Sequence, residues 1–206
     1  MNFFFEGFFL QAGLILGLGA QNIFVLESGI SRSHHQFVAF ICSLCDLILI
    51  LFGVLGAATL FIAFPTLKII FGILGVAFLA FYGLRKLYEA FGATSLSKLK
   101  SNKTISLKKA LMLTLGFSLL NPHVYLDTLV LIGGYASKHS ALQDRLFFGL
   151  GASLFSMLWF FALANLSSVM SPLLVKPKAM RLVNLSAGCV LSWLGYKLGR
   201  EVLSWF

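Results

Sequence analysis

The chain is assembled from apolar runs about as long as a bilayer's hydrocarbon core is thick. A helix of roughly 20 apolar residues crosses that core. Hydrocarbon supplies no water to backbone N–H and C=O groups, so a spanning segment must close its own hydrogen bonds. Long runs, rather than alternating ones of about ten residues, select a helical bundle over a barrel. They fall at about residues 7–26, 37–64, 66–88, 110–135, 146–170 and 182–203. The expectation is an all-α integral membrane protein with six transmembrane helices. Only 11% of the residues are charged and the mean hydropathy is +0.92, against about 25% charged in soluble domains. Little sequence is left over, so residues 1–206 read as one transmembrane domain.

Two of these runs are broken. The first contains Gly17-Leu18-Gly19-Ala20-Gln21-Asn22, with two glycines that weaken a helix and two amides that need partners. The fourth contains Leu119-Leu120-Asn121-Pro122-His123-Val124, followed by Tyr125 and Asp127. Pro122 has no N–H to return to the carbonyl four residues back, so carbonyls near Ser118 are freed. Splitting the chain at the basic loop 92–108 leaves halves of about 1–91 and 109–206. Each half has three spans and opens on a broken one. Three is odd, so the halves cross in opposite senses. Matched interruptions in inverted repeats point to the substrate site of a secondary transporter.

The formal net charge is +9, which in a soluble chain would suggest nucleic acid. Here the basic residues sit mainly between apolar runs, as cytoplasmic loops do. Arg85, Lys86, Lys98, Lys100, Lys103, Lys108 and Lys109 crowd one connector. Arg32 and the group Lys176, Lys178 and Arg181 fall on the same side, with Pro172 and Pro177 expected to keep that second connector out of helix. Placing that side inside puts both termini outside. Met1–Gly7 lacks Lys and Arg and holds Glu6, unlike a signal peptide, so the first run is expected to remain as a helix. Cys42, Cys45 and Cys189 all lie in apolar runs and imply no disulfide framework.

Asp46 and Asp127 are the acids deep in spans. A carboxylate at mid-membrane costs at least ~2.5–3.5 kcal/mol. It persists where it meets a cation, takes a proton or lines water; the plainer role is a structural partner. Asn121 and Pro122 offer broken-helix ends for an amino-acid zwitterion, or simply a packing kink. Gln21 and Asn22 match them in the first half, or serve as interhelical glue. His123 is a proton relay or a satisfied buried imidazole. Tyr125 reads as packing with a bonded hydroxyl that also borders the site. Cys42 and Cys45 share a helix face with Asp46 near by, a weak soft-metal pattern more often met as small hydrophobes. Neither HExxH nor GxxxxGK[ST] occurs. The residues therefore read as a transporter rather than an enzyme, with no cofactor or resident metal implied.

Gly17–Leu26 followed by Gly29-Ile30 resembles the first-span motif of the lysine exporter (LysE-type) family. Asn121-Pro122-His123-Val124-Tyr125-Leu126-Asp127-Thr128 resembles the fourth-span motif of its lysine and arginine exporter branch, and Cys45-Asp46-Leu47, Asn184 and Gly188-Cys189 agree. The resemblance covers nearly the whole chain. It implies export of basic amino acids across a bacterial inner membrane, coupled to a proton or membrane-potential gradient, by a small homo-oligomer. Export of a divalent metal ion or of a neutral amino acid such as homoserine is the alternative within the superfamily. Ala20 stands where members usually carry proline. The first break then rests on Gly17 and Gly19, and a straighter first helix is expected.

Overall fold

The computed structural model describes residues 2–16, 19–56, 65–91, 105–174 and 177–204. Every regular element among them is helical. In order these are α1 (Asn2–Ile15), α2 (Ala20–Ile30), α3 (His35–Val54), α4 (Pro65–Phe91), α5 (Leu107–Leu119) and α6 (Pro122–Tyr125). A π-helical segment (Leu126–Ile132), α7 (Gly133–Ala136), α8 (Leu142–Leu174) and α9 (Pro177–Leu203) follow. Among the described residues, α3 and the Leu142–Pro172 part of α8 are each long and apolar enough to cross a membrane. α1 and α2 pass the same test together as a bent pair. Large apolar side chains stand open on the outer surface, with Phe9 and Phe81 each 67% exposed. Water disfavours such a surface, and lipid accepts it.

The first span is sharply broken, not straightened by the missing proline: α1 and α2 meet at 80°. Gly19 is extended (φ −79°, ψ 164°) and starts α2 as a new helix. The Asn22 amide then donates to the Ile15 carbonyl at 2.7 Å. That carbonyl ends α1 and has lost its helical N–H partner. The side chain of one half-helix thus stabilises the end of the other. Gly17, expected to share in this break, lies outside the described residues.

The second break falls at Asn121. The Leu120 N–H closes the last turn of α5 on Gly116, and Pro122 opens α6, where its lack of an N–H costs least. The Tyr125 hydroxyl donates to the Leu119 carbonyl. The chain then widens into the π segment, a geometry that favours functional positions in helices. Thr128 donates to the Val124 carbonyl at 2.6 Å within this stretch. The segment lies almost backbone to backbone on α3. A Cβ at Gly53 would come 2.4 Å from the Thr128 carbonyl oxygen, and one at Gly133 would come 2.5 Å from the Gly53 oxygen. Only glycine fits either position.

Proline does not keep the second basic connector out of helix as expected. α8 continues through Pro172 to Leu174, and α9 begins at Pro177. Pro172 cannot donate to the Ser168 carbonyl. The Arg32 Nε, from the α2–α3 turn, donates to it instead at 3.2 Å. Pro177 occupies the first helical position, where proline is tolerated.

α8 is the hub, packed on α1, α2 and α3; α3 also meets α5 and the π segment, and α9 pairs with α4. Among the described residues, the flanks of the basic connectors gather at one end. There His34 bonds the Ile105 carbonyl at 2.9 Å and the Arg181 guanidinium lies over the Phe91 ring. Glu6 and His139 mark the opposite end, 3.7 Å apart.

Candidate functional site

A cavity of about 260 Å³ lies where the two breaks approach each other. Asp46, from the middle of α3, and Asp127, from the first turn of the π segment, both line it. So do Gln21 and Asn22 beyond the first break and Asn121 at the second. The sequence scatters these five residues over three runs; folding brings them to one wall. Tyr125 is turned to the Leu119 carbonyl instead. The His123 side chain lies outside the described residues.

Asp46 is 3% exposed. Its Oδ2 accepts from Ser156 of α8 at 2.8 Å, and Ser156 in turn accepts from the Gln11 amide at 2.7 Å. The remaining oxygens of that relay, Asp46 Oδ1 and Gln11 Oε1, have no hydrogen-bond partner among the described residues. Buried acceptors normally find a donor, and both residues border the cavity. Asp127 is half-buried. A carboxylate so placed attracts a cation or a proton.

The amides are partly spent on architecture. Asn22 donates to α1 as described and accepts from the Trp159 indole at 3.1 Å. Gln21 donates to Ser118 at 3.1 Å, tying the start of α2 to the end of α5. Cys42 and Cys45 are buried free thiols. Among the described residues no three His, Cys, Asp or Glu side chains gather as metal ligands do.

A second cavity of about 330 Å³ opens at the basic end. Glu27 Oε2 sits 3.1 Å from the Lys86 ammonium there, which also reaches Glu89 at 3.5 Å; Arg85 binds Glu89 at 3.1 Å. Three helices supply residues to both cavities in the same axial order. α2 offers Asn22 to the first and Glu27 to the second; α9 offers Leu194 and then Asn184. The α5 run and its break give Lys109 and Leu113 to the basic-end cavity and Asn121 to the other. The cavities therefore lie in line along the bundle. Between them pack Phe24, Phe78, Tyr82 and Phe117, with the Phe117 ring 4.7–4.9 Å from the other three.

The family model described as LysE type translocator matches residues 12–202. The chain belongs to the LysE type translocator family. This translocator is 40% identical over 202 residues to a protein of Yersinia enterocolitica named arginine exporter protein ArgO, covering 98% of each chain. It is 38% identical over 205 residues to a protein of the same name from Salmonella enteritidis, covering 98% of this chain and 95% of that one. No solved structure matches.

Some residues that line the translocator's cavity, or that bond to those that do, escape a reading of its sequence. Gln11 is a third amide in the first apolar run, and the reasoning that applies to Gln21 applies to it as well. Ser156 and Trp159 carry no such signal, because serine and tryptophan are ordinary in membrane helices. Lys197 also lines the cavity, although its place near the end of the last run suggests only a loop-side charge.

Proposed function

We propose that this translocator exports basic amino acids, arginine foremost, across the bacterial inner membrane by alternating access. The observation that carries the reading is the cavity that Asp46 and Asp127 share with both helix breaks. Two carboxylates in a low-dielectric site are costly unless cations meet them. Arginine and lysine bring two cationic groups each. The names of the Yersinia and Salmonella relatives favour arginine.

In this reading the domain is two inverted repeats, with six spans and the basic loop inside. The contact pattern supports it. Exchanging the halves maps the α3–α8 and α4–α9 pairings onto themselves. It also maps the contact of α1 and α2 with α8 onto that of α5 and the π segment with α3. The aromatic layer around Phe117 separates an inner vestibule from the substrate cavity. Rocking one repeat against the other opens the layer and closes the far side. After the amino acid leaves, protons take its place on the carboxylates and return inward, which makes the cycle an antiport.

The test is counterflow in proteoliposomes loaded with a panel of unlabelled amino acids. Labelled arginine should accumulate against internal arginine or lysine and not against leucine, and an imposed proton gradient should speed it. Equal exchange with every amino acid, or none with arginine, would refute the assignment.

A further inference from the structure

Lys197 is the residue of the cavity that a pure cation site does not explain. α9 turns one face inward: Val183 and Asn184 line the basic-end cavity, Ala187 and Leu191 are buried between, and Leu194 and Lys197 line the substrate cavity. This three-to-four spacing is one helix stripe. The buried stripe continues through Leu198 and Val202, and Lys197, an exposed residue beside it, borders the cavity next to Leu194. Its ammonium lies 5.7 Å from the Trp193 ring centre and forms no salt bridge among the described residues. A lysine there repels a metal ion or a polyamine. It suits a ligand that carries an anion as well as cations.

A second positive feature faces the same space. Gly19, Ala20 and Gln21, at the start of α2, line the cavity. The N-cap Gly19 supplies no side chain to the first N–H groups of that helix. The dipole of the helix favours an anion at this end. The opposite sign is equally unfilled: Asp46 is buried and its Oδ1 lacks a partner among the described residues.

We infer that Lys197, with the start of α2, binds the α-carboxylate of the substrate, while Asp46 and Asp127 take its two cationic groups. The charges then match one for one, two acids and one base against two cations and one carboxylate. This rests on the reading of the protein as a basic amino-acid exporter and names its carboxylate-recognition residue. Lys197 makes the site select amino acids over the amines left when they lose their carboxyl group.

The experiment compares arginine with agmatine, which is arginine without its carboxylate. Binding to purified full-length protein is measured by calorimetry for wild type, Lys197→Gln and Lys197→Arg. Wild type should prefer arginine. Lys197→Gln should weaken arginine roughly 10- to 100-fold, as loss of a charge-assisted hydrogen bond does. Agmatine should bind that variant as well as wild type or better, which also shows that it is folded. Lys197→Arg should keep most of the preference. Equal loss for both ligands, or arginine binding unchanged in Lys197→Gln, would overturn the assignment while leaving the exporter reading intact. Wild-type protein that binds neither arginine nor lysine would overturn both.

Discussion

Asp127→Asn separates a binding role from a structural one. The carboxylate is half-buried, lines the cavity and takes part in no hydrogen bond or salt bridge among the described residues. Asparagine keeps its shape and removes its charge. If Asp127 holds a substrate cation, the gross attraction at 4 Å is about 4 kcal/mol with an effective dielectric of about 20. Desolvation of both groups takes back part of it. A charge-assisted hydrogen bond nets about 1.5–3 kcal/mol, or roughly 10- to 150-fold in Kd. The fold should not suffer, because the substitution breaks no contact and removes a charge from a costly place. The thermal midpoint should therefore hold or rise while arginine binding falls, a trade of stability against function. Calorimetric titration with arginine and thermal melts of detergent-purified protein read the two effects separately. A variant that melts earlier than wild type, or binds arginine within about twofold of it, would refute the reasoning.

Three further outcomes follow from the geometry. Gly53→Leu should lower the melting temperature sharply, because its Cβ would meet the Thr128 carbonyl at 2.4 Å; overpacking costs typically about 1–3 kcal/mol, and more against backbone. Lys86→Met should cost about 3–5 kcal/mol by leaving Glu27 unpaired, and adding Glu27→Gln should restore most of it in denaturation curves. Trp159→Phe should remove the donor to Asn22 for about 1 kcal/mol; a melt indistinguishable from wild type would show that this bond contributes nothing.

The positions of both breaks were legible in the sequence because their cause is local. Glycines weaken a helix and proline removes a donor wherever they stand. The sharpness of the first break was not legible. It depends on Asn22 reaching back to Ile15 and on Trp159 holding Asn22 from α8. Pro172 misleads for the same reason. The sequence displays the lost donor, but the replacement is Arg32, 136 positions away. Asp46 and Asp127 stood out because an acid in an apolar run is rare. Their convergence on one cavity with Gln11 and Lys197 needs the packing of α1, α3, the π segment and α9 around a common space. The π geometry itself left no mark, since Leu126–Ile132 has an ordinary apolar composition.

The partners found at the breaks also bear on selectivity. The sequence suggests that unwound backbone would grip the amino acid. Yet the Ile15 carbonyl already accepts from Asn22, and the Leu119 carbonyl already accepts from Tyr125. Backbone groups so engaged recognise less, and discrimination shifts to the charged side chains. On the exporter reading, a neutral amino acid satisfies one carboxylate with its ammonium and leaves the other without a cation. Leaving a desolvated partner unmet costs more than a good contact gains. Rejection of neutral amino acids thus comes from the second acid, so Asp127→Asn should admit them as it loses arginine. Exchange of labelled leucine by that variant, absent in wild type, would be the signature; a variant that loses arginine and gains nothing would place the discrimination elsewhere.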